Sequence, residues 1–218
     1  MLGAVLSSRR AMQPSRRTAI GLEKRERTRS SLIEAAYRVF ARKEAEAVTI
    51  DEIIAEAGVA RGTFYNYFQT REAVLTAVAA SLSDQMNQKI WAQSVAVVDP
   101  AERMAIALRQ FLHQAMRDST WGWVIVRIGL VAAPLSETIE RGVMSDLEAG
   151  IRLHRFEVEN TQAAIDMILG TGLMAMRSIL AGQTEPDYPE QIAKLILKTL
   201  GVAEADAQAI AFKVLEPL

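Results

Sequence analysis

The chain has 218 residues, half of them hydrophobic, and a formal net charge of −1. This length and apolar content suffice for a substantial buried core without support from metals or disulfides. The chain has no cysteine, and its two histidines, His113 and His154, lie far apart in the sequence. The composition therefore excludes a disulfide framework and a cysteine nucleophile, and we expect no metal site.

Charge is distributed unevenly along the chain. Residues 1–29 contain eight basic and two acidic side chains, a local charge of +6, whereas residues 76–218 carry −5. A basic end on an acidic body indicates an anionic partner for the first third of the chain. Residues 1–22 lack an apolar period and are predicted to form a flexible basic arm. Contact of this arm with an anionic partner, a plain solvated tail and a true start at Met12 all stay open.

Helical periodicity begins after this arm. Apolar residues at positions 32, 35, 36, 39 and 40 share one helix face, which predicts a helix ending near Lys43. Thr49 and Glu52 form the sequence pattern of a capping box, so a short helix should begin there and end at Gly58. A second short helix is predicted from about residue 61 to 67, and a long one from about 70 to 91.

The rest of the chain also has helical spacing, interrupted near Pro100, Pro134, Asn160 and residues 183–189. Alternating strand patterns are essentially absent, so the sequence predicts an all-α protein of about nine or ten helices. No uninterrupted apolar stretch reaches the length that a membrane helix needs, and the N-terminus lacks the order of a signal peptide. We therefore expect a cytoplasmic protein without a membrane partner.

Two short helices joined by a glycine turn are the arrangement of a helix-turn-helix, in which the second helix enters the major groove. Val59, Phe64 and Phe68 have the spacing of inward-facing anchors. The intervening residues are left to face outward or flank the anchors: Arg61, Gly62, Thr63, Tyr65, Asn66 and Tyr67. Four aromatic residues within positions 64–68 cannot all enter one small core, which argues against a helical hairpin without DNA-binding function.

The outward residues have the chemistry of a DNA-reading surface. Arg61 can donate two hydrogen bonds to a guanine edge, and Thr63 or Asn66 can read other base edges. Gly62 lets the helix approach the bases closely. Hydroxyl groups, a cation and helix N-terminal amides suited to phosphate oxygens are supplied by Thr49, Tyr65, Tyr67 and Arg71.

Motifs across about a quarter of the chain carry a resemblance to a known family. They are Thr-Ile-Asp-Glu at 49–52, Ala-Gly-Val at 57–59, Gly-Thr-Phe-Tyr-Asn-Tyr-Phe at 62–68 and Arg-Glu-Ala-Val-Leu at 71–75. Residues from about Lys24 to Leu75 thus resemble the DNA-binding domain of the TetR family of bacterial repressors. The resemblance implies phosphate contacts for Thr49, Tyr65, Tyr67 and Arg71, and base contacts for Arg61, Gly62, Thr63 and Asn66.

Two positions depart from the family pattern. Ala60 stands where Ser or Thr usually caps the recognition helix, a change worth about 1 kcal/mol of capping. Ile54 replaces the small residue usually found where the two helices cross, which predicts a slightly wider crossing. Both departures limit any assignment of individual base contacts.

The resemblance implies an N-terminal three-helix helix-turn-helix domain followed by a helical ligand-binding and dimerisation bundle. We assign residues 1–22 to the arm, 23–70 to the DNA-binding domain and 71–218 to the bundle. The family plan places a homodimer interface on the last two long helices, where two apolar stripes occur. They comprise Ile165, Ile168, Leu169, Gly172, Leu173, Met176, Ile179 and Leu180, and then Ile192, Leu195, Ile196, Thr199 and Leu200. Both could face the intrachain core, but we expect at least one at the interface.

Candidates for an effector pocket are the large or adaptable side chains of the central helices. They are Met104, Phe111, His113, Trp121, Trp123, Met144, Met167 and Met174. Methionine and aromatic linings suit apolar or aromatic effectors, although the same residues at helical spacing also occur as plain core.

The sequence therefore predicts a DNA-binding transcriptional regulator, in the main reading a repressor that a small apolar or aromatic effector releases from a palindromic operator. Its partners would be double-stranded DNA, that effector and a second copy of the chain, with no cofactor. No catalytic triad order, phosphate-cradling loop or carboxylate pair points to an enzyme. The alternatives are a ligand-independent TetR-like DNA-binding factor with a collapsed core, and a helical enzyme or carrier with a vestigial head.

Overall fold

A computed structural model describes residues 16–43, 47–129, 137–216 and 218. Regular structure in these residues is entirely helical, as the sequence predicts, and comprises ten helices. They are α1 (Arg16–Arg42), α2 (Ile50–Ala57), α3 (Arg61–Tyr65), α4 (Arg71–Ser94), α5 (Pro100–Arg117), α6 (Ser119–Gly129), α7 (Glu137–Arg152), α8 (Thr161–Leu180), α9 (Tyr188–Thr199) and α10 (Glu204–Ala211).

The first three helices and the start of α4 form a small head around one apolar centre. Leu32, Ile53 and Phe64 are fully buried there, with Phe68 4% exposed. The predicted capping box is confirmed, because Glu52 N–H donates to Thr49 Oγ1 and Glu52 Oε2 accepts from Thr49 N–H. Gly58 ends α2 with a φ of 64°, the left-handed turn that lets α3 start at once.

The first helix begins several residues earlier than predicted, and the third ends two residues earlier. Residues 16–22, assigned to the flexible arm, belong to α1, whereas residues 1–15 lie outside the described part. No proline interrupts residues 16–42, and helix-forming polar residues continue α1 beyond its apolar face, where residues 20–27 are exposed. The third helix ends at Tyr65, and a tight bond from Tyr67 N–H to Phe64 O returns Phe68 to the core.

The body is built around α5, which contacts α4, α6, α7, α8, α9 and α10. Pro100 opens α5 with Asp99 as its N-cap, and Asn160 caps α8 through a bond from Ala163 N–H, at two of the predicted interruptions. The long helix α4 runs from the head into this bundle. Its residues Val74 and Ile90 are both buried, so one rigid element joins the two regions.

The predicted stripe on α8 faces the interior of the chain, with three of its residues buried and the other five half-buried. Ile165, Ile168 and Met176 are at most 4% exposed, because α5 and α6 cover this face. The stripe on α9 divides: Ile196 is buried, whereas Leu195 is 55% exposed.

Among the described residues, α8 is also the one helix that is long and apolar enough to cross a membrane by length and composition. Asp166 and Arg177 lie within it, and it packs against α5, α6, α7 and α9 in the bundle.

Candidate DNA-binding surface and effector cavity

The recognition helix α3 separates its side chains into an inner and an outer set. Phe64 and Phe68 are buried, and Val59 packs against the same core, as the spacing predicts. Arg61, Gly62 and Asn66 are exposed. The remaining members of the predicted set are half-buried around this face: Thr63, Tyr65, Tyr67 and Arg71. Seven of the eight predicted residues thus lie between Arg61 and Arg71, and the eighth, Thr49, is exposed at the N-cap of α2.

Contacts among the described residues give no reason for a glycine at position 62. Among the described residues, no heavy atom outside the neighbouring backbone of its own helix lies within 4 Å of the position that a β-carbon would take there, and φ is not in the left-handed region. Neither packing nor backbone conformation therefore requires glycine. An absent side chain on an exposed helix face leaves room for an external surface to come close.

The recognition helix starts without a side-chain cap. Ala60 at the N-cap offers no side-chain acceptor for the first amides of α3, as its departure from the family pattern predicts. Arg61 lies 3.4 Å from Asp51, but both side chains are about two-thirds exposed. Such a surface pair contributes little, so Arg61 can exchange it for a base or phosphate at small cost.

Carboxylates beside the recognition helix are neutralised by cations within the head. Lys43 pairs with Glu52, and this hydrogen bond, with those from Thr49, lowers the pKa of Glu52 to about 2. Glu56 accepts from Arg38 Nε at 2.7 Å and Arg42 Nη1 at 2.9 Å, and these bonds lower its pKa. The pairs fasten α1 to α2 and reduce the repulsion that carboxylates would present to DNA.

Two arginines of α1 lie beside the end of the recognition segment. Arg25 lies over the Tyr67 ring at 5.9 Å, and Arg29 lies over the Phe68 ring at 5.7 Å. The sequence places both arginines in its basic N-terminal part but does not predict these contacts. The paired residues are 42 and 39 positions apart, and local spacing patterns do not reveal contacts over such separations. The helical part of the basic segment is therefore adjacent to the predicted phosphate-contact residues.

A cavity of about 410 Å³ lies in the body between α4, α5, α6, α7 and α8. Its walls are mostly apolar and include Ile90, Trp91, Met104, Leu108, Phe111, Leu112, Ile125, Ile168, Leu173 and Met176. Asn87, Ser94, Arg103, Ser145 and Asp146 supply the polar groups. This combination of an apolar wall with few polar groups is typical of small-molecule sites.

The polar end of the cavity is an ion pair in partly buried surroundings. Arg103 Nε donates to Asp146 Oδ1 at 2.6 Å, and Arg103 Nη1 donates to the carbonyls of Val97 and Val98 at 3.0 Å. Burial raises the pKa of Asp146, and the bond from Arg103 partly opposes that rise. Within the described residues, Oδ2 of Asp146 accepts no hydrogen bond, which leaves an acceptor for a ligand that donates one.

Of the eight predicted pocket residues, Met104 and Phe111 line this cavity. Trp121 lies behind Phe111, with ring centroids 5.8 Å apart, and His113 bonds Glu190 between α5 and α9. The other four also lie outside the lining: Trp123, Met144, Met167 and Met174. Trp123 is 36% exposed beneath Arg127, and Met174 is 39% exposed on α8.

Sequence reasoning missed the polar end and much of the wall. Arg103, Ala107 and Leu108 share a face of α5 with Met104 and Phe111, at the three- and four-residue spacing of one helix side. That spacing could have extended the prediction from Met104. Asp146 comes from a different helix, α7, and only tertiary packing brings it to Arg103.

The head and body meet at a second point besides α4. Tyr37 of α1 donates from its hydroxyl to Asp118 Oδ2 at 3.2 Å, while Asp118 Oδ1 accepts from Trp121 N–H at 3.0 Å. Burial, followed by the charge and hydrogen bond of Asp118, raises the pKa of Tyr37 to about 12. The hydroxyl therefore stays protonated, as a donor, at neutral pH.

Two family models match separate parts of the chain. Residues 32–78 match the model for bacterial regulatory proteins of the tetR family, and residues 99–213 match the model for the tetracyclin repressor-like C-terminal domain. The second match alone covers more than half of the chain. Together they include the helix-turn-helix and most of the body.

Curated relatives match less than half of the chain. An uncharacterized HTH-type transcriptional regulator of Mycobacterium tuberculosis (strain ATCC 25618 / H37Rv) is 32% identical over 88 residues, which are 40% of this chain and 43% of that protein. The HTH-type transcriptional regulator BetI of Rhizobium meliloti (strain 1021) is 33% identical over 81 residues, 37% of this chain and 40% of that protein. The aligned region therefore spans less than half of either relative.

Solved structures extend the likeness to the body. The crystal structure of RolR in complex with its ligand resorcinol has a TM-score of 0.72 and 29% identity, covering 89% of this chain and 98% of that one. FadR from Bacillus subtilis in complex with stearoyl-CoA has a TM-score of 0.63 at 18% identity, covering 80% of this chain and 98% of that one. The second comparison supports the fold alone.

Proposed function

Because this chain belongs to the TetR family of bacterial regulatory proteins, as both family models establish, we propose that it is a repressor that a small aromatic effector releases from its operator. The family makes it a transcriptional regulator. The observation that carries the finer proposal is the combination of an exposed recognition face on α3 with a mostly apolar cavity of about 410 Å³ in the body. A chain acting without a ligand would have no need of such a cavity.

The proposed DNA contacts follow the exposure of the head. Arg61, Thr63 and Asn66 read base edges, and Gly62 allows α3 to come close to them. Phosphates are held by the hydroxyl groups, cation and amides of a second group, which comprises Thr49, Tyr65, Tyr67 and Arg71. The domain division proposed from sequence, 23–70 and 71–218, then corresponds to a DNA-binding part and a ligand-binding and dimerisation part, with residues 1–22 as a basic extension. Such a regulator acts in the cytoplasm, where its DNA is.

The proposed homodimer uses the outer faces of α8 and α9. Gly170 and Met174 are exposed on α8, and Leu195 is exposed on α9. By helical spacing, Gly170 and Met174 lie opposite the face of α8 that α5 and α6 cover. A two-fold dimer through this surface would present two recognition helices to successive major grooves, about 34–36 Å apart.

The proposed effector is an aromatic compound that carries a hydroxyl group. Phe111, Met104 and Met176 offer an apolar, polarisable wall to a ring, while Asp146 Oδ2 is free to accept from a hydroxyl. RolR, similar over nearly its whole length, has resorcinol as its ligand, which is an aromatic diol. A large acyl chain is less suited, because this cavity combines a small volume with an ion pair at one end.

Selection of duplexes from a random library by the full chain tests the proposal. We expect enrichment of a pseudo-palindrome, bound at least 10³-fold more tightly than unrelated DNA. Resorcinol should then weaken that binding in fluorescence anisotropy, and the selected duplex placed in a promoter should lower reporter output. Failure to enrich any sequence would contradict the DNA-binding role, whereas resorcinol-insensitive binding would contradict the effector class alone.

A further inference from the structure

The structure joins the wall of the cavity to the head through one side chain, Asp118. This residue ends α5, which supplies Met104, Leu108 and Phe111 to the cavity, and it starts α6, which supplies Ile125. It therefore stands at the corner between two walls of the site. A change in the angle or separation of α5 and α6 must move this corner.

Each carboxylate oxygen of Asp118 accepts a different hydrogen bond. Oδ1 accepts from Trp121 N–H and so caps the first turn of α6, while Oδ2 accepts from the Tyr37 hydroxyl. Because one rigid carboxylate makes both bonds, the start of α6 cannot rotate without disturbing the bond to α1. The Tyr37 hydroxyl is thereby held by the body although its backbone belongs to the head.

Trp121 completes the path from the cavity. Its side chain is 5% exposed, and its ring packs against Phe111 with a centroid distance of 5.8 Å. Phe111 therefore both lines the cavity and contacts Trp121. A ligand that displaces Phe111 would therefore press on the residue whose amide Asp118 holds.

On the head side, Tyr37 belongs to the helix that fastens α2. Its neighbours Arg38 and Arg42 pair with Glu56, near the end of α2. Arg25 and Arg29 of the same helix lie over Tyr67 and Phe68 beside the recognition helix. A displacement of α1 would thus reach the DNA-reading surface without passing through α4.

We propose that Phe111, Trp121, Asp118 and Tyr37 form a relay that transmits occupancy of the cavity to the head through α6 and α1. Tyr37 and Asp118 act as positioning residues and touch neither effector nor DNA. The proposal rests on the proposed function in assuming that occupancy of this cavity regulates the head. It adds that the orientation of the head depends on a hydrogen bond as well as on the continuous helix α4.

The test uses a side chain as the occupant, so it needs neither the operator nor the effector. Ala107 lines the cavity one turn before Phe111, and Ala107→Phe places a ring beside it. Hydrogen–deuterium exchange is then measured on the full chain for peptides covering residues 32–42 and 50–57. We expect Ala107→Phe to accelerate exchange there by about threefold or more. Amides exchange through local openings of the structure, and a displaced α1 would open more often.

The same substitution is then made in two backgrounds. Tyr37→Phe removes the hydroxyl that bonds Asp118, and Tyr188→Phe removes a hydroxyl from α9 as the matched control. Relative to each background, the response of the head should fall by more than half with Tyr37→Phe and persist with Tyr188→Phe. Equal responses in both backgrounds, or no response to Ala107→Phe at all, would overturn the relay.

A second measurement covers the case in which Ala107→Phe fails to fold. Tyr37→Phe alone should accelerate exchange of residues 119–122, at the start of α6, because Asp118 loses the partner that fixes it. Unchanged exchange there would also overturn the relay. Neither result bears on operator selection, so a failed relay and a failed proposed function are recorded by separate experiments.

Discussion

The head and the body place their functional residues in different ways. All eight candidate DNA contacts lie between Thr49 and Arg71, on a capped helix, a turn and one short helix. The cavity takes its walls from five helices between Asn87 and Met176. A site made from consecutive residues can be recognised by spacing, whereas a site made by packing depends on which helix faces meet.

The two regions also differ in their electrostatics. Arg61 on the head has a weakly held, exposed partner in Asp51 and can give it up to DNA. Arg103 in the body is held by Asp146 and two carbonyls in partly buried surroundings. The head therefore exposes Arg61 to a binding partner, whereas the body holds the Arg103–Asp146 pair at one end of the apolar cavity.

Truncation of a core side chain of the head should have the largest effect. It tests whether the head can unfold while the body stays folded. Phe64→Ala deletes a fully buried ring and should destabilise the head by about 3–5 kcal/mol. DNA binding should be lost while calorimetry still detects resorcinol in the body. Phe212→Ala, at a residue 40% exposed, is the control and should leave both unchanged. Simultaneous loss of effector binding would mean that the regions fold as one unit.

Removal of the charge at the polar end of the cavity should affect the body alone. Asp146→Asn should weaken resorcinol binding by about 1.5–3 kcal/mol, the value of a hydrogen bond to a charged group. DNA affinity without effector should stay the same. Calorimetry with Ser145→Ala, another cavity residue, provides the comparison. Undiminished binding by Asp146→Asn would exclude this carboxylate as the hydroxyl acceptor.

Arg61 tests whether the head reads sequence. Arg61→Ala should relax preference at one base pair of each half-site by about 1–3 kcal/mol, measured by competition with singly substituted duplexes. Arg117→Ala, an exposed arginine of the body, should alter neither affinity nor preference. A loss spread evenly over all duplexes would assign Arg61 to phosphates instead.

The smallest effect concerns the capping box and its dependence on pH. Glu52 has its pKa lowered to about 2, so its contribution to stability is complete above its ordinary value near 4.5 and is lost as pH falls toward 2. Acid titration followed by circular dichroism should show this loss in wild type, and Glu52→Gln should reduce the slope in that window. Because about a third of the Glu52 side chain is exposed and solvent screens its bonds, the change should be modest. Identical acid profiles of the two proteins would show that Glu52 does not stabilise the fold in this pH range.

The sequence predicted the all-helical fold, the capping box and the inward positions of Phe64 and Phe68, because each depends on residues within about ten positions of one another. It missed the helical extension of α1, where polar residues give no apolar period. It could not say which of the α8 and α9 stripes is covered within the chain, since periodicity identifies an apolar face but not the helix that covers it. Only two of the eight pocket candidates line the cavity, for the same reason. Large apolar residues at helical spacing indicate a buried position, but tertiary packing decides whether that position borders the cavity or lies elsewhere in the core.

DNA cleavage from a tethered reagent tests the central claim, that the α3 face meets DNA, most directly. The chain has no cysteine, so Asn66→Cys offers a single attachment point for an iron chelate on the exposed end of the recognition helix. On the selected duplex, we predict two clusters of cuts about 10 base pairs apart, one per half-site. Met116→Cys, exposed on the body, should produce no such pattern. Cuts from Met116→Cys alone, or the same pattern from both positions, would contradict the assignment of residues 61–67 to the DNA.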